Sequence, residues 1–274
     1  MEAFAARRVG SAAAVALVVA GALAARAPGV GAEPVDLLPD LVILATQQED
    51  LQLEHEGQRT LLRLTTEIGN RGSGPLEVFP SPASLDCDGD GDPSNDRDAS
   101  QRVFADSNAT GLFERGADEV ARERTFGCIQ YHPAHDHWHV LDLASYELRR
   151  EPGGSLAARS RKVGFCLTDT RPAFPGPGVS PTSTYPINPP GGVGCDSTST
   201  LGISPGWADA YAFAVPGQDL DVTGIPRGHY CLTMRADPTG VLEELDDDNN
   251  VRRTRIAMRP AKLIIRKLDE PCRI

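Results

Sequence analysis

Beyond residue 32, no long stretch of this chain keeps its apolar residues at helical spacing, and that absence constrains the fold most. Short extended runs take the place of helices. Arg59 to Ile68 (RTLLRLTTEI) reads as a strand stopped by the turn signal Gly69-Asn70-Arg71-Gly72, with Leu76 to Phe79 as its partner. Trp138 to Leu148, Lys162 to Leu167, His229 to Arg235 and Val251 to Met258 read the same way. With 27 glycines and 22 prolines as punctuation, this pattern predicts an all-β fold, an antiparallel β-sandwich with long functional loops. Two segments stand out as such loops: Asp86 to Asp98, dense in carboxylates, and Arg171 to Gly206, rich in Pro, Gly and Ser. No internal repeat and no second domain is visible.

The first residues read as an export signal. Arg7 and Arg8 precede an apolar run from Ser11 to Ala25, and Val30-Gly31-Ala32 supplies small residues for cleavage. The alternative is an uncleaved anchor, for which the run is short. The expected organisation is a signal peptide at 1–32 and one catalytic domain at 33–274, secreted to an extracellular or periplasmic space and free of the membrane after cleavage. Losing Arg7, Arg8, Arg26 and Glu2 takes the formal net charge from −11 to −13. That balance argues against nucleic acid as a partner. All six cysteines, Cys87, Cys128, Cys166, Cys195, Cys231 and Cys272, follow the signal, and an even count in an exported chain predicts disulfides. No CxxC pair is present, so a zinc ribbon is not expected.

The most informative segment is Tyr131 to Val140 (YHPAHDHWHV), which holds four of the six histidines. His135, His137 and His139 fall at i, i+2 and i+4, a spacing that puts all three on one face of a strand. Three neutral imidazoles suit copper, zinc, nickel or iron and not calcium. A three-histidine zinc hydrolase fits the same residues.

This segment also resembles the copper-binding H-x-x-H-x-H-x-H pattern of the lysyl oxidases. Lys162-Val163-Gly164-Phe165-Cys166-Leu167-Thr168-Asp169-Thr170 resembles that family's K-x-x-F-C-L-x-D-T stretch. Gly202 to Gly206 with Asp209-Ala210-Tyr211 resembles its G-[LI]-S-P-G-x-x-D-x-Y stretch. Gly228-His229-Tyr230 and Glu244 to Val251 resemble two further stretches, so the likeness runs from about residue 38 to 258. It implies a secreted member of bacterial type that oxidises primary amines, including peptidyl lysine, to aldehydes with oxygen as acceptor, releasing ammonia and hydrogen peroxide. It further implies that His135, His137 and His139 hold copper. Lys162 and Tyr211 match the pair that forms lysine tyrosylquinone, the family's built-in catalytic cofactor. The base is open between an Asp and a His, with Asp142 a candidate three residues past His139, an odd separation that puts it on the opposite face of a regular strand. The resemblance also implies structural calcium held by Asp40, Leu41, Glu244, Asp246, Asn249 and Asn250. Asp86, Asp88 and Asp90 ahead of Gly91 begin like a calcium loop but have Arg97 where such a loop ends in Glu.

The chain departs from the family pattern at Ala134, which replaces a cysteine, and at Trp207, where animal members often carry another. Against that background Cys128 is expected to pair with Cys195. A calcium-stabilised adhesion or binding β-sandwich without catalysis is the reading from a different class. It accounts for the strands and the acidic turn but not for three histidines on one face.

Overall fold

Leu51 and Leu53 alternate with exposed polar residues, whereas Leu61, Leu62 and Leu64 are all fully buried, so a half-covered strand lies beside one covered on both faces. The computed structural model describes Pro34–Ile274 apart from residues 83–85, 88, 134–135, 161–163, 176–182, 188–193 and 216. The export segment expected at 1–32 lies outside the described residues.

In chain order the strands are β1 (Asp36–Leu37), β2 (Leu41–Ile43), β3 (Leu51–Glu56), β4 (Arg59–Leu64), β5 (Thr66–Asn70), β6 (Leu76–Pro80), β7 (Asp96–Ala105), β8 (Glu119–His132), β9 (His137–Val140) and β10 (Ala144–Arg150). There follow β11 (Ser155–Arg159), β12 (Arg171–Pro172), β13 (Leu201–Ile203), β14 (Trp207–Tyr211), β15 (Asp219–Asp221), β16 (Gly228–Ala236), β17 (Val251–Arg259) and β18 (Ile264–Lys267). Every strand pairing is antiparallel. One sheet runs β13-β6-β7-β8-β9 with β1 joined to β7, and a second runs β11-β10-β16-β17-β18. A four-stranded sheet, β12-β14-β5-β2, and a three-stranded one, β15-β4-β3, complete the set. The β16–β17 part of the second sheet packs on β2, and β18 packs on β3. Leu41, Leu62, Ile68, Leu76, Phe165, Tyr230 and Ile256, from all four sheets and the 164–167 segment, belong to one buried cluster. The expected all-β, antiparallel architecture is present.

Several expected elements are cut differently. Arg59 to Ile68 divides at Thr65 into β4 and β5, which enter different sheets. Leu76 to Phe79 pairs with β7 and β13 rather than with that run. Trp138 to Leu148 breaks after Val140, and Asp142 takes a positive φ of 59° in the turn. Of the expected strand at Lys162 to Leu167, residues 162–163 lie outside the described set, and Phe165 makes one isolated bridge to Val140.

The expected Cys128–Cys195 bridge is replaced by Cys87–Cys128, Cys166–Cys195 and Cys231–Cys272. The reason is topological. Cys128 on β8 lies opposite Asp98 of β7, and the acidic loop feeding β7 returns Cys87 to the same edge. Cys195 lies beside β9 through a hydrogen bond from Trp138 N to its carbonyl, within reach of Cys166.

Candidate functional site

β8 ends at His132 and β9 begins at His137, the two residues facing each other across the ladder. The intervening turn is closed by Asp136 N donating to His132 O, with Asp136 at a positive φ of 57°. The backbone is therefore not extended through Asp136. Of the three histidines expected on one strand face, His137 and His139 lie on β9, and His135 lies outside the described residues. His137 and His139 do share a face, and their Nε2 atoms stand 2.8 Å apart. His132, which sequence reasoning did not place at the site, brings its ring to 5.0 Å from His139 across the strand pair.

His139 is 3 % exposed and is held from several directions. Val140 exchanges two backbone hydrogen bonds with Phe165, which sets the 164–167 segment against β9. Gly164 lies so close that a Cβ there would stand 2.9 Å from His139 Cβ and 3.3 Å from its Nδ1. The His139 and Tyr211 rings are 6.3 Å apart, and Phe165 packs edge-on against Tyr211 at 4.7 Å. The Tyr211 hydroxyl accepts from Cys166 N at 2.5 Å. Burial, reinforced by nearby Asp209, pushes the Tyr211 phenol well above its ordinary value. Lys162 lies outside the described residues, two positions ahead of Gly164.

Asp209 stands in the sequence as the D of the D-x-Y stretch, where it was given no role. It is fully buried, and neither carboxylate oxygen has a hydrogen-bond partner. Two residues before Tyr211 on β14, it shares that residue's strand side. Burial, with the negative charge of Asp169 second, pushes its pKa well above the ordinary carboxylate value. Asp169 has the opposite environment. It accepts from Ser204 N and Oγ, both at 2.7 Å, and from the backbone of Thr184 and Tyr185 at 2.9 and 3.0 Å. Asp169 thus ties the long 171–206 loop to the turn leading into β14. Asp142, the candidate base, is exposed in the turn after β9, where its φ is positive.

Beside β9 lies a groove of about 770 Å³ lined by Asp90 and Asp92 of the acidic loop together with Tyr131, His132 and Trp138. The Cys87–Cys128 bridge and a hydrogen bond from Cys87 N to Asp96 Oδ2 anchor that loop. Of the calcium-loop residues named from sequence, Asp86 and Asp90 come together with Asp96, and Asp88 lies outside the described residues.

A second oxygen cluster joins the start of β2 to the turn before β17. Glu244 Oε2 accepts from Leu41 N at 2.8 Å, and Glu244 Oε1 accepts from Asn250 Nδ2 at 2.7 Å. Asn249 Nδ2 donates to Asp40 Oδ1 at 2.7 Å. The Oδ1 atoms of Asn249 and Asn250 are buried and have no partner. Two carboxylates and two unpartnered carbonyl oxygens form a hard-oxygen donor set of the kind calcium takes. Burial raises Glu244 to about 7, the signature of a carboxylate short of positive charge. Asp246 is exposed and accepts from Asp248 N instead.

The family model for lysyl oxidase matches residues 109–267. Human lysyl oxidase homolog 1 is 30 % identical over 128 residues, covering 46 % of this chain and 20 % of the relative. Rat protein-lysine 6-oxidase is 30 % identical over 143 residues, covering 52 % of this chain and 31 % of the relative. The pig protein of that name is 29 % identical over 143 residues, 52 % of each chain. The matched region thus spans from a fifth to about half the length of these curated relatives.

Proposed function

The chain belongs to the lysyl oxidase family, and on that premise we propose that it is a secreted copper-dependent amine oxidase, residues 1–32 directing export and 33–274 forming the catalytic domain. The observation that carries this reading is the pair of Nε2 atoms 2.8 Å apart on β9, with the Tyr211 ring beside His139. His137 and His139, with His135, would hold the copper, an ion that takes neutral imidazole ligands. Lys162 and Tyr211 would form lysine tyrosylquinone, whose carbonyl chemistry withdraws electrons from a primary amine and passes them to oxygen. The products are an aldehyde, ammonia and hydrogen peroxide.

This chain's own side chains carry the rest. Cys166 N fixes the Tyr211 oxygen, and Phe165 limits tilting of the ring. Asp209 is the group placed to hold or release a proton on the Tyr211 side of β14, in a site free of competing hydrogen bonds. Asp90 and Asp92 line the groove beside His132, where their charge suits an approaching ammonium, whether a small amine or a protein lysine side chain. Asp40, Glu244, Asn249 and Asn250, with Leu41 and Asp246 completing the set, would bind structural calcium.

A zinc hydrolase gives Tyr211 and its unpaired neighbour Asp209 no task. A non-catalytic binding sandwich gives none to the converging imidazoles. The test is peroxide release from primary amines by copper-loaded protein, with quinone colour followed on addition of phenylhydrazine. The proposal expects both signals, each abolished in His137→Ala and His139→Ala. Copper-loaded protein that releases no peroxide from any primary amine and does not react with phenylhydrazine contradicts it.

A further inference from the structure

Arginines in this chain fall into two populations. In much of the molecule they face carboxylates: Arg63 faces Glu54, Arg102 faces Glu77, Arg122 faces Asp36 and Glu243, and Arg171 faces Glu67. The five-stranded sheet differs. Arg159 on β11, Arg235 on β16, Arg253 and Arg259 on β17 and Arg266 on β18 have no carboxylate at ion-pair distance among the described residues, and neither has Arg227 just ahead of β16. Arg149 and Arg255 of the same sheet are neutralised by Glu147, Glu151 and Glu270. With Arg150 on β10 and Arg252 on β17 likewise unpaired among the described residues, seven uncompensated guanidiniums lie on this sheet and Arg227 beside it, in a chain whose formal net charge is −11. Like charges brought together repel, so folding supplies no reason for this segregation.

Three of these eight, Arg227, Arg259 and Arg266, surround a groove of about 530 Å³ together with His229, and no acidic residue lines it. In the register of β17 and β18, Ala257 lies opposite Arg266 and Arg259 opposite Ile264, so all four share one face of the ribbon. Ile264 is 41 % exposed, and with Leu268 it gives the groove an apolar seat between cations. The outer edge of β18 is capped, because Gln48 accepts from Lys267 N and donates to Ile265 O. A partner strand is therefore not invited there, and recognition falls to side chains.

We propose that this groove is a docking site for an acidic polypeptide segment. Its Asp or Glu carboxylates pair with Arg227, Arg259 and Arg266, and an adjacent apolar side chain rests on Ile264 and Leu268. Planar guanidiniums bind carboxylates in two-pronged fashion, which suits them to this task. A sulfated polysaccharide offers the charge but no side chain for the seat. A single small anion leaves the apolar seat of Ile264 and Leu268 without a role. The inference is independent of the chemistry at the histidines, which belong to a different sheet.

The test is fluorescence anisotropy of the full chain with a labelled Glu-rich peptide carrying a leucine. A matched Gln-for-Glu peptide and dextran sulfate serve as comparisons. Wild type should bind the Glu peptide and not the Gln peptide. The Arg259→Glu/Arg266→Glu double variant should bind at least about tenfold more weakly, and added salt should weaken wild-type binding in the same direction. Arg259→Lys/Arg266→Lys, which keeps the charge, should recover part of the affinity, and Arg59→Gln on β4 should bind as wild type. Melting temperatures of all variants establish that each is folded. Undiminished binding by the double Glu variant, equal binding of the Gln peptide, or binding of dextran sulfate without the Glu peptide would each overturn the proposal.

Discussion

Asp209 is the residue whose surroundings ask most for explanation. A buried carboxyl with no hydrogen bond costs on the order of 1–3 kcal/mol, so its presence next to Tyr211 points to use rather than to stability. Its folded-state proton affinity is raised by burial, so its contribution to stability is complete below the unfolded value near pH 4 and is lost as pH rises. Asp209→Asn in metal-free protein should therefore match wild type near pH 4 and melt progressively higher than wild type as pH increases. Calorimetry across that range checks the sign, and a constant difference would contradict it. In copper-loaded protein the same variant should lose about 10²-fold or more in turnover. Gly164 makes a steric prediction. A methyl group there meets His139, so Gly164→Ala should weaken copper binding about 10-fold or more, read by metal titration, with little change in fold. His137, His139 and Tyr211 were legible in the sequence because their spacing or their neighbours mark them. Gly164 was not, and Asp209 and His132 were visible only as motif positions without a role, because their importance lies in burial and contact across strands, which no spacing encodes.

At the scale of elements, β9 shows how far pattern reading goes. The period-2 histidines predicted a strand, and one is present, but the turn at Asp136 shortens it to begin at His137. Geometry at residue 136, a left-handed backbone, overrides the alternation. The β7–β8 ribbon went unread because the first half of β8, EVARERT, is mostly exposed and carries no apolar alternation. The cysteine pairing could not be read either, since it depends on which loop returns to which edge. The acidic turn was read as meeting the start of the first strand, and Glu244 and Asn249 do hydrogen-bond to Leu41 N and Asp40 there. Calcium at about 100 times its dissociation constant adds about 2.7 kcal/mol, which should raise the melting temperature by about 5–10 °C. Glu244→Gln should remove that shift. Equal calcium response in wild type and variant would place the ion elsewhere.

At the scale of the whole molecule, four sheets contribute to one buried cluster, and three disulfides tie distant segments to it. Unfolding of the oxidised protein should therefore follow a single calorimetric transition, with van't Hoff and calorimetric enthalpies equal. Two separate transitions would show that the sheets are independent units. The all-β class was legible from punctuation alone, because glycine and proline limit run length whatever the topology. The division into sheets was not, because strand partners such as β6 with β7 and β13 are chosen by long-range packing.

The account as a whole depends on copper held by the β9 histidines converting Tyr211 and Lys162 into one cofactor. The most direct measurement is peptide mass spectrometry of protein expressed with copper and protein expressed without it. The account predicts a covalently joined pair of peptides, one containing Lys162 and one containing Tyr211, only in the copper sample. If the two peptides are recovered separately and unmodified from fully copper-loaded protein, the account is wrong.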